Sequence, residues 1–347
     1  MKRHLLFLAA LLIVNLAASA QKKFSVYAVG FYNQESLFDT CHDEGKKDYE
    51  YLPNKGWNGM KYTNKLRNMS KALADMGTDV LPNVGCAFIG LSEVENHKVL
   101  DALVDQAPLK ARNMKYVHIE GPDRRGIDCA LLYNPSLFSV KNVKLLPYVQ
   151  ELAKDSAFFT RGFLTVRGEM AGDDVAVIVC HWPSRFSGPF YRESAARQVK
   201  VIKDSLLNVN QEMKIFVMGD MNDDPVNKSM HVYLQAKPEI SQVGAGDMYN
   251  PWYNVLAKEG KGTLFYSGNW NLFDQIVITP NLLNKDAKKK DYSSLKYWKS
   301  HIFRRDYLIQ QEGQYKGAPL RTTAGGRWLN GYSDHLPVVM YLVKEKK

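Results

Sequence analysis

The stretch VMGDMNDDP, residues 217–225, gives the strongest local signal in the chain. An apolar run leads into Gly219, and the acidic and amide side chains that follow end at Pro225, which cannot continue a central strand. The pattern predicts a strand whose carboxyl end presents Asp220 and Asn222 on a loop. Crowded carboxylates suit a divalent cation or a general base, although Asp, Asn and Pro also form ordinary turns.

Five other segments repeat this arrangement, with polar or charged residues at the end of an apolar run. They are YNQESLF (32–38), GLSEVEN (90–96), HWPSR (181–185), NLFDQIV (271–277) and YSDHLPV (332–338). A single histidine or acid at such a position is more often structural than catalytic. Because the same arrangement recurs along the chain, we predict that these segments meet at one site.

The remaining pattern predicts a mixed fold. Helical periodicity is present near 66–76, 99–104 and 195–206. Short apolar or β-branched runs predict strands at 24–29, 87–91, 129–133, 163–166, 175–180, 215–218, 275–278 and 336–342. The loose alternation favours an α/β or α+β fold with helices outside packed sheets. No repeat or linker divides residues 21–347, so we expect one domain.

Residues 1–20 have the pattern of a signal peptide. A basic start is followed by an apolar run and by Ala18-Ser19-Ala20, a small-residue cleavage site. No later apolar run reaches membrane length. We therefore expect cleavage at about Ala20 and a mature protein without an integral membrane span, located outside the cytoplasm in the periplasm, at the cell surface or in the medium.

Composition excludes several classes of protein. Of 347 residues, 45% are hydrophobic and 24% charged, which rules out a disordered chain, a collagen and a coiled coil. Four cysteines are too few for a disulfide scaffold. The net charge of +10 weakly favours anionic partners. Within residues 284–305, eight Lys and Arg face two Asp, with aromatic residues between them. This basic segment is either a solvated surface or a groove for a polyanion such as nucleic acid.

In chain order, eight motifs resemble the endonuclease/exonuclease/phosphatase superfamily, the deoxyribonuclease-like metal-dependent phosphoesterases, as a secreted bacterial-type member. They are YNQESLF, GLSEVEN, RGIDCALLY, TRGF, HWPSR, GDMND, FDQIVI and YSDHLPV. The resemblance implies a four-layer αββα sandwich of two mixed β-sheets flanked by helices. It also implies a hydrolase that uses Mg²⁺, or Mn²⁺, and metal-activated water to cleave a phosphoester bond.

The resemblance assigns a role to each matching residue. The metal ligands it implies are Glu93, Asn33, Asp334 and Glu35. Asp220 is similar to the residue that orients or deprotonates water, and Asn222 would hold its geometry. His335, bonded to Asp274, and His181 resemble the two imidazoles that contact the phosphate, and adjacent carboxylates would keep both cationic. The substrate phosphate would also be contacted by Arg161 and Arg185, with Asp128 as the partner of His181.

Three functional hypotheses stay open. The preferred one is a phosphodiesterase or nuclease, and the alternative is a phosphatase or phospholipase-C-like enzyme for a small phosphorylated or lipid head-group substrate. The third, an inactive binding protein, is disfavoured because the motif residues are intact. Sixty residues separate Asp274 from Asp334, which predicts a basic insertion near 284–330 that determines substrate specificity. We assume a monomer.

Overall fold

A computed structural model describes residues 23–151 and 158–346. The predicted signal peptide, residues 1–20, lies outside these residues. The strands of the described chain are β1 (Phe24–Leu37), β2 (Cys86–Val94), β3 (Lys115–His118), β4 (Asp128–Tyr133), β5 (Phe138–Leu146), β6 (Phe163–Met170), β7 (Asp173–His181), β8 (Lys214–Asp220), β9 (Ala236–Lys237), β10 (Met248–Tyr249), β11 (Leu264–Tyr266), β12 (Asn269–Asn271), β13 (Asp274–Ile278), β14 (Lys296–Ile302), β15 (Thr323–Ala324), β16 (Arg327–Trp328) and β17 (Val338–Glu345). The α-helices are α1 (Gly59–Asp75), α2 (His97–Val104), α3 (Ala107–Ala111), α4 (Pro189–Val209) and α5 (Tyr253–Ala257).

Most strands belong to two mixed sheets. The first sheet has the order β14-β17-β1-β2-β4-β3, and the second has the order β5-β6-β7-β8-β13-β10-β9. In the first sheet β1 and β2 are parallel, and in the second β7 and β8 are parallel. Their antiparallel neighbours β4, β13 and β17 begin where these four strands end. This topology explains why strand-end segments far apart in sequence meet at one edge.

Strand β7 shows how the layers are held together. Val175, Val177 and Val179 belong to the core between the two sheets. The intervening side chains, including Ile178, belong to a separate core that also contains Ala195 and Val199 of α4. Successive strand residues face opposite sides, so a strand buried on both sides has a continuous apolar sequence.

A third core completes the arrangement on the outer side of the first sheet. There Leu66, Met69 and Leu73 of α1 pack with Ala28 and Tyr32 of β1. The three cores separate four layers, in the order helix, sheet, sheet and helix. This order confirms the predicted αββα sandwich. No helix among the described residues is both long and apolar enough to span a membrane.

The insertion at 284–330 divides into two parts with different positions. Its first part adds β14 to the edge of the first sheet. Tyr292, two residues after the lysine triplet 288–290, packs its ring 5.1 Å from that of Phe24, at the amino end of β1. Asn33 lies nine residues further along β1, which is about 30 Å at a strand rise of about 3.3 Å per residue. The triplet therefore lies at the end opposite to the predicted site, which favours the solvated-surface alternative for this part of the basic segment.

The second part, residues 303–330, returns to the predicted site. Lys65 of α1 donates hydrogen bonds to the Thr322 hydroxyl at 2.5 Å and to the Tyr332 carbonyl at 2.6 Å. The short hairpin β15–β16 follows Thr322, and its Trp328 ring lies 5.7 Å from that of Trp57. This part of the insertion is therefore placed to influence the substrate.

Candidate active site

Two β-bulges aim acidic side chains out of the first sheet. The register of β1 against β2 shifts between Asn33 and Leu37, and that of β2 against β4 shifts beside Glu93. Glu35, Ser36 and Glu93 have φ angles of 45°, 59° and 60°, in the left-handed region. A bulge redirects a side chain, and strained non-glycine residues concentrate at functional sites.

Four acids line one cleft of about 440 Å³, the active-site cleft, together with Lys55, Lys61 and Arg321. They are Glu50 and three acids at the strand ends, Glu35, Glu93 and Asp334. Arg321 donates to Glu35 at 3.3 Å and to Asp334 at 3.2 Å. Burial, followed by the charge of Asp334, raises the pKa of Glu35 to about 7. Burial thus outweighs the charges of Lys65 and Arg321 and the Thr322 hydrogen bond, which lower this pKa.

This donor set fits a hard divalent cation. Its oxygens come from carboxylates, which Mg²⁺ and Mn²⁺ prefer, and it contains no thiolate. A bound cation would also counter the charge of Asp334, which adds to the effect of burial on the pKa of Glu35. Glu93 and Asp334 are the residues that would hold it, because Glu35 already accepts a 2.6 Å hydrogen bond from the Thr322 amide.

Asn33 links the Glu35 turn to Asp220. Its Oδ1 accepts the Glu35 amide at 2.8 Å, and its Nδ2 donates to Asp220 at 3.0 Å. The same Nδ2 lies 3.5 Å from Glu93 Oε1. An amide oxygen that accepts one hydrogen bond keeps a second lone pair, so the role of Asn33 as a metal ligand stays a prediction. In this structure Asn33 positions Asp220.

Asp220 is a buried carboxylate at the end of β8, and it is 2% exposed. Its second oxygen accepts the Asn222 amide at 2.9 Å, with Asn222 in the left-handed region at φ 49°. Burial raises the pKa of Asp220 to about 6, although the neighbouring His335 acts in the opposite direction. A carboxylate with this pKa is ionised at neutral pH and basic enough to accept a proton from water.

His335 and Asp274 form a closely bonded pair. His335 Nδ1 lies 2.7 Å from Asp274 Oδ2, and the His335 amide donates to the Ser333 hydroxyl at 3.1 Å. Burial alone lowers the pKa of His335, but the carboxylates of Asp274 and Asp334 outweigh it and hold this pKa well above its usual value. His335 is therefore an imidazolium at neutral pH.

Asp220, Asp274 and His335 have ligand atoms within 4.8 Å of one another, which is close enough to hold a metal. His335 and Asp274, however, use one atom each for their mutual hydrogen bond. A cationic imidazole is also not a metal ligand, because a ligand histidine must be neutral. We assign this trio to proton handling and the cleft carboxylates to the metal.

His181 differs from His335 in charge. Its Nε2 lies 3.7 Å from Asp220 Oδ2 and 3.8 Å from Glu93 Oε1. Its Nδ1 is buried and has no hydrogen-bond partner among the described residues. Burial first, and then the charges of Arg161 and Arg125, lower the pKa of His181 well below its usual value. The prediction of two cationic imidazoles is therefore wrong for His181.

The predicted pairing of Asp128 with His181 is also wrong. Asp128 lies 3.0 Å from His118 Nε2 on the neighbouring strand β3 and accepts the Gly121 amide at 2.9 Å. These contacts use both carboxylate oxygens and fix the loop between β3 and β4. Asp128 thus stabilises the wall of the site and does not orient an imidazole in it.

The two predicted phosphate-binding arginines are engaged with the protein itself. Arg161 is 6% exposed, and its terminal nitrogens donate to Asp123 at 3.0 Å and to the Trp182 carbonyl at 2.8 Å. Arg185 donates to the Asn222 carbonyl at 3.2 Å and to Asp224 at 2.8 Å. Both brace the loops that carry His181 and Asn222, and their contact with a phosphate stays a prediction.

The sequence did not indicate the residues that complete the site. They are Ser36, Lys65, Arg321, Thr322 and Ser333. Among these residues, only Lys65 could have been noticed in the sequence, because it is a lysine on the buried face of α1 beside Leu66 and Met69. Burial lowers the pKa of Lys65 to about 8. Arg321 lies within the insertion and had no distinguishing pattern.

Comparison with known proteins places this geometry in context. A family model described as the Endonuclease/Exonuclease/phosphatase family matches residues 28–344. No curated protein matches the sequence. An endonuclease/exonuclease/phosphatase family protein from Bacteroides thetaiotaomicron has 13% identity and a TM-score of 0.55, covering 93% of this chain and 97% of its own.

Two other solved structures share the fold. A mannosyl-6-phosphatase from Bacteroides thetaiotaomicron has 14% identity and a TM-score of 0.53, with 91% of this chain and 99% of its own covered. TDP2 from D. rerio, complexed with a single-strand DNA product, has 11% identity and a TM-score of 0.53, with coverage of 92% and 99%. At these identities the likeness concerns the fold alone.

Proposed function

Because the chain belongs to the Endonuclease/Exonuclease/phosphatase family, we propose that it is a Mg²⁺-dependent phosphoester hydrolase that acts on a small, polar, phosphorylated substrate. The observation that carries the proposal is that the active-site cleft, bounded on one side by the β15–β16 hairpin, adjoins the buried set of Asp220, His335 and Asp274. The named phosphatase and the DNA-bound TDP2 above are both compatible with this fold, so the choice between small and polymeric substrates rests on the cleft.

The proposed reaction uses the residues in distinct ways. Asp220, held by Asn33 and Asn222, accepts a proton from the attacking water. The imidazolium of His335 faces the phosphoryl oxygens and stabilises the charge that develops on them. Neutral His181 can donate one hydrogen bond to the same oxygens. Mg²⁺ at Glu93 and Asp334 would supply Lewis-acid polarisation of the phosphoryl group.

Two features favour a small substrate over a polynucleotide. Trp328 of the β15–β16 hairpin packs on Trp57, and Lys61 Nζ lies 5.7 Å from the Trp328 ring centroid, so the hairpin closes one side of the cleft. The remaining volume of about 440 Å³ is in the range of pockets for single small molecules. The lysine triplet 288–290, the main sequence argument for a polyanion, lies at the other end of the sandwich.

The experiment is a substrate and metal screen on the mature protein, residues 21–347. After chelation, Mg²⁺, Mn²⁺ or Zn²⁺ is returned, and hydrolysis is measured with methyl phosphate, sugar phosphates, inositol phosphates, sphingomyelin, plasmid DNA, single-stranded DNA and RNA. We expect Mg²⁺ or Mn²⁺ to restore hydrolysis of small phosphoesters, and Glu93→Gln to prevent this rescue while the protein stays folded. Rescue by Zn²⁺ alone, or a higher kcat/KM for DNA than for any small substrate, would refute the proposal.

We also propose that the protein is exported, on the basis of residues 1–20. Mass spectrometry of the protein expressed in a bacterium with its natural amino terminus should show a chain that begins at about Gln21, recovered outside the cytoplasm. Full-length protein retained in the cytoplasm would contradict this.

A further inference from the structure

A second cleft adjoins the active-site cleft. It has a volume of about 570 Å³ and shares Arg321, Thr323 and Asp334 with the active-site cleft. Its other walls come from the turn of the β11–β12 hairpin and from the returning part of the insertion, with Tyr266 and Tyr315 among them. The two clefts thus meet at the Arg321–Asp334 ion pair.

The hairpin that forms one wall is fixed to the catalytic residues. Leu264 of β11 forms an antiparallel bridge with His335, and the Thr263 carbonyl accepts the Leu336 amide at 2.8 Å. On the other side, the Asp274 amide lies 3.4 Å from the Thr263 hydroxyl. A group bound in the second cleft is therefore held at a fixed position relative to His335 and its phosphate.

The chemistry of this second cleft differs from that of the first. Its charged lining residues, in the part of the chain that the structure describes, are Arg321 and Asp334 at the junction. Beyond them the lining is neutral and includes Tyr266, which is 69% exposed, Tyr315, which is 52% exposed, and Gln310. We call it the neutral cleft.

We propose that the neutral cleft binds the sugar ring of a sugar phosphate whose phosphate lies at the Arg321–Asp334 junction. A sugar ring has a C–H face that packs on an aromatic ring and hydroxyl groups that need neutral hydrogen-bonding partners. Tyrosine supplies both, an apolar face and a polar hydroxyl, and Gln310 and exposed backbone add further donors and acceptors. A second phosphate finds no cation there beyond Arg321. The inference rests on the proposed function and specifies its substrate class.

The test separates binding from turnover. Calorimetry with hexose 6-phosphate and Mg²⁺ uses Asp220→Asn protein, in which hydrolysis is suppressed, with and without Tyr266→Ala or Tyr315→Ala. We expect each tyrosine variant to weaken binding about tenfold and to leave the binding of methyl phosphate, which is too small to reach the tyrosines, within about twofold. Trp298→Ala is the control, because Trp298 is 48% exposed on β14, outside both clefts.

Kinetics on the otherwise unaltered enzyme provide the second readout. The tyrosine variants should raise KM for hexose 6-phosphate about tenfold, with kcat and the hydrolysis of methyl phosphate nearly unchanged. Equal loss for both ligands, no loss for the sugar phosphate, or stronger tyrosine-dependent binding of adenosine 5′-phosphate would overturn the subsite. Tyrosine-dependent binding without metal-dependent hydrolysis of any phosphoester would instead overturn the proposed function and leave the subsite supported.

Discussion

Replacement of Asp274 by Asn tests how the buried carboxylate controls His335. The variant keeps the shape of the side chain but removes its charge from a 2.7 Å contact in which Asp274 is fully buried. A hydrogen bond to a charged group contributes about 1.5–3 kcal/mol. Since about 1.4 kcal/mol corresponds to a tenfold change in rate, we expect kcat/KM to fall by about 10- to 150-fold.

The pH dependence of activity is a more specific test of the same replacement. Asp274 is the largest of the influences that raise the pKa of His335 against the effect of burial. Without it, that pKa falls and the imidazolium is lost at lower pH. Activity of the variant should therefore decline at a lower pH than that of the wild-type enzyme, in which Asp274 keeps the imidazolium to higher pH.

The assay is kcat/KM for a small phosphoester with saturating Mg²⁺ between pH 5.5 and 9, with Tm measured in parallel. Asp79→Asn is a matched control, because Asp79 lies 3.0 Å from His301 in a partly exposed pair away from the clefts. We expect this control to keep wild-type activity. An Asp274→Asn protein that folds and retains the wild-type alkaline limb would refute the reasoning.

Two other predictions concern the base and the basic segment. Asp220→Asn should lower kcat by about 100-fold or more. It should also abolish the rise of activity through pH about 6, where wild-type Asp220 loses its proton. If the variant keeps this rise in its pH profile, another group is responsible for it. Simultaneous replacement of Lys288, Lys289 and Lys290 by Gln should leave kcat/KM and its salt dependence unchanged, because the triplet lies about 30 Å from the site. A flatter salt dependence in that triple variant would contradict the placement.

The fold, and the meeting of the strand-end segments at one edge, followed from sequence because their signals are local. A buried strand such as β7 has a continuous apolar run, and a polar loop after it marks the edge where Asp220 and His181 lie. Parallel pairing of β1 with β2 and of β7 with β8 then brings such loops together. The resemblance to a known superfamily supplied the order of the layers.

What sequence did not supply depends on long-range register. Asp128 pairs with His118 because β3 and β4 are neighbours in a particular register, and no local pattern contains this information. The insertion shows the same limit, since its composition does not indicate that residues 288–290 lie at the far end while Arg321 returns to the site. The hydrogen bond from Asn33 to Asp220 likewise joins residues 187 positions apart in sequence, and no local pattern indicates it.

The site residues with left-handed φ angles lower the stability of the fold while they position the side chains of the site. Four non-glycine residues at the site, Glu35, Ser36, Glu93 and Asn222, have φ angles between 45° and 60°, and each costs on the order of 1 kcal/mol of folding free energy. Replacement of Ser36 by glycine would relieve the backbone strain at this position, but it would remove the 3.0 Å hydrogen bond to Glu93. Copies of this fold released from selection for hydrolysis should therefore drift towards glycine at these positions, so that loss of activity leaves a record in sequence before the sandwich itself changes.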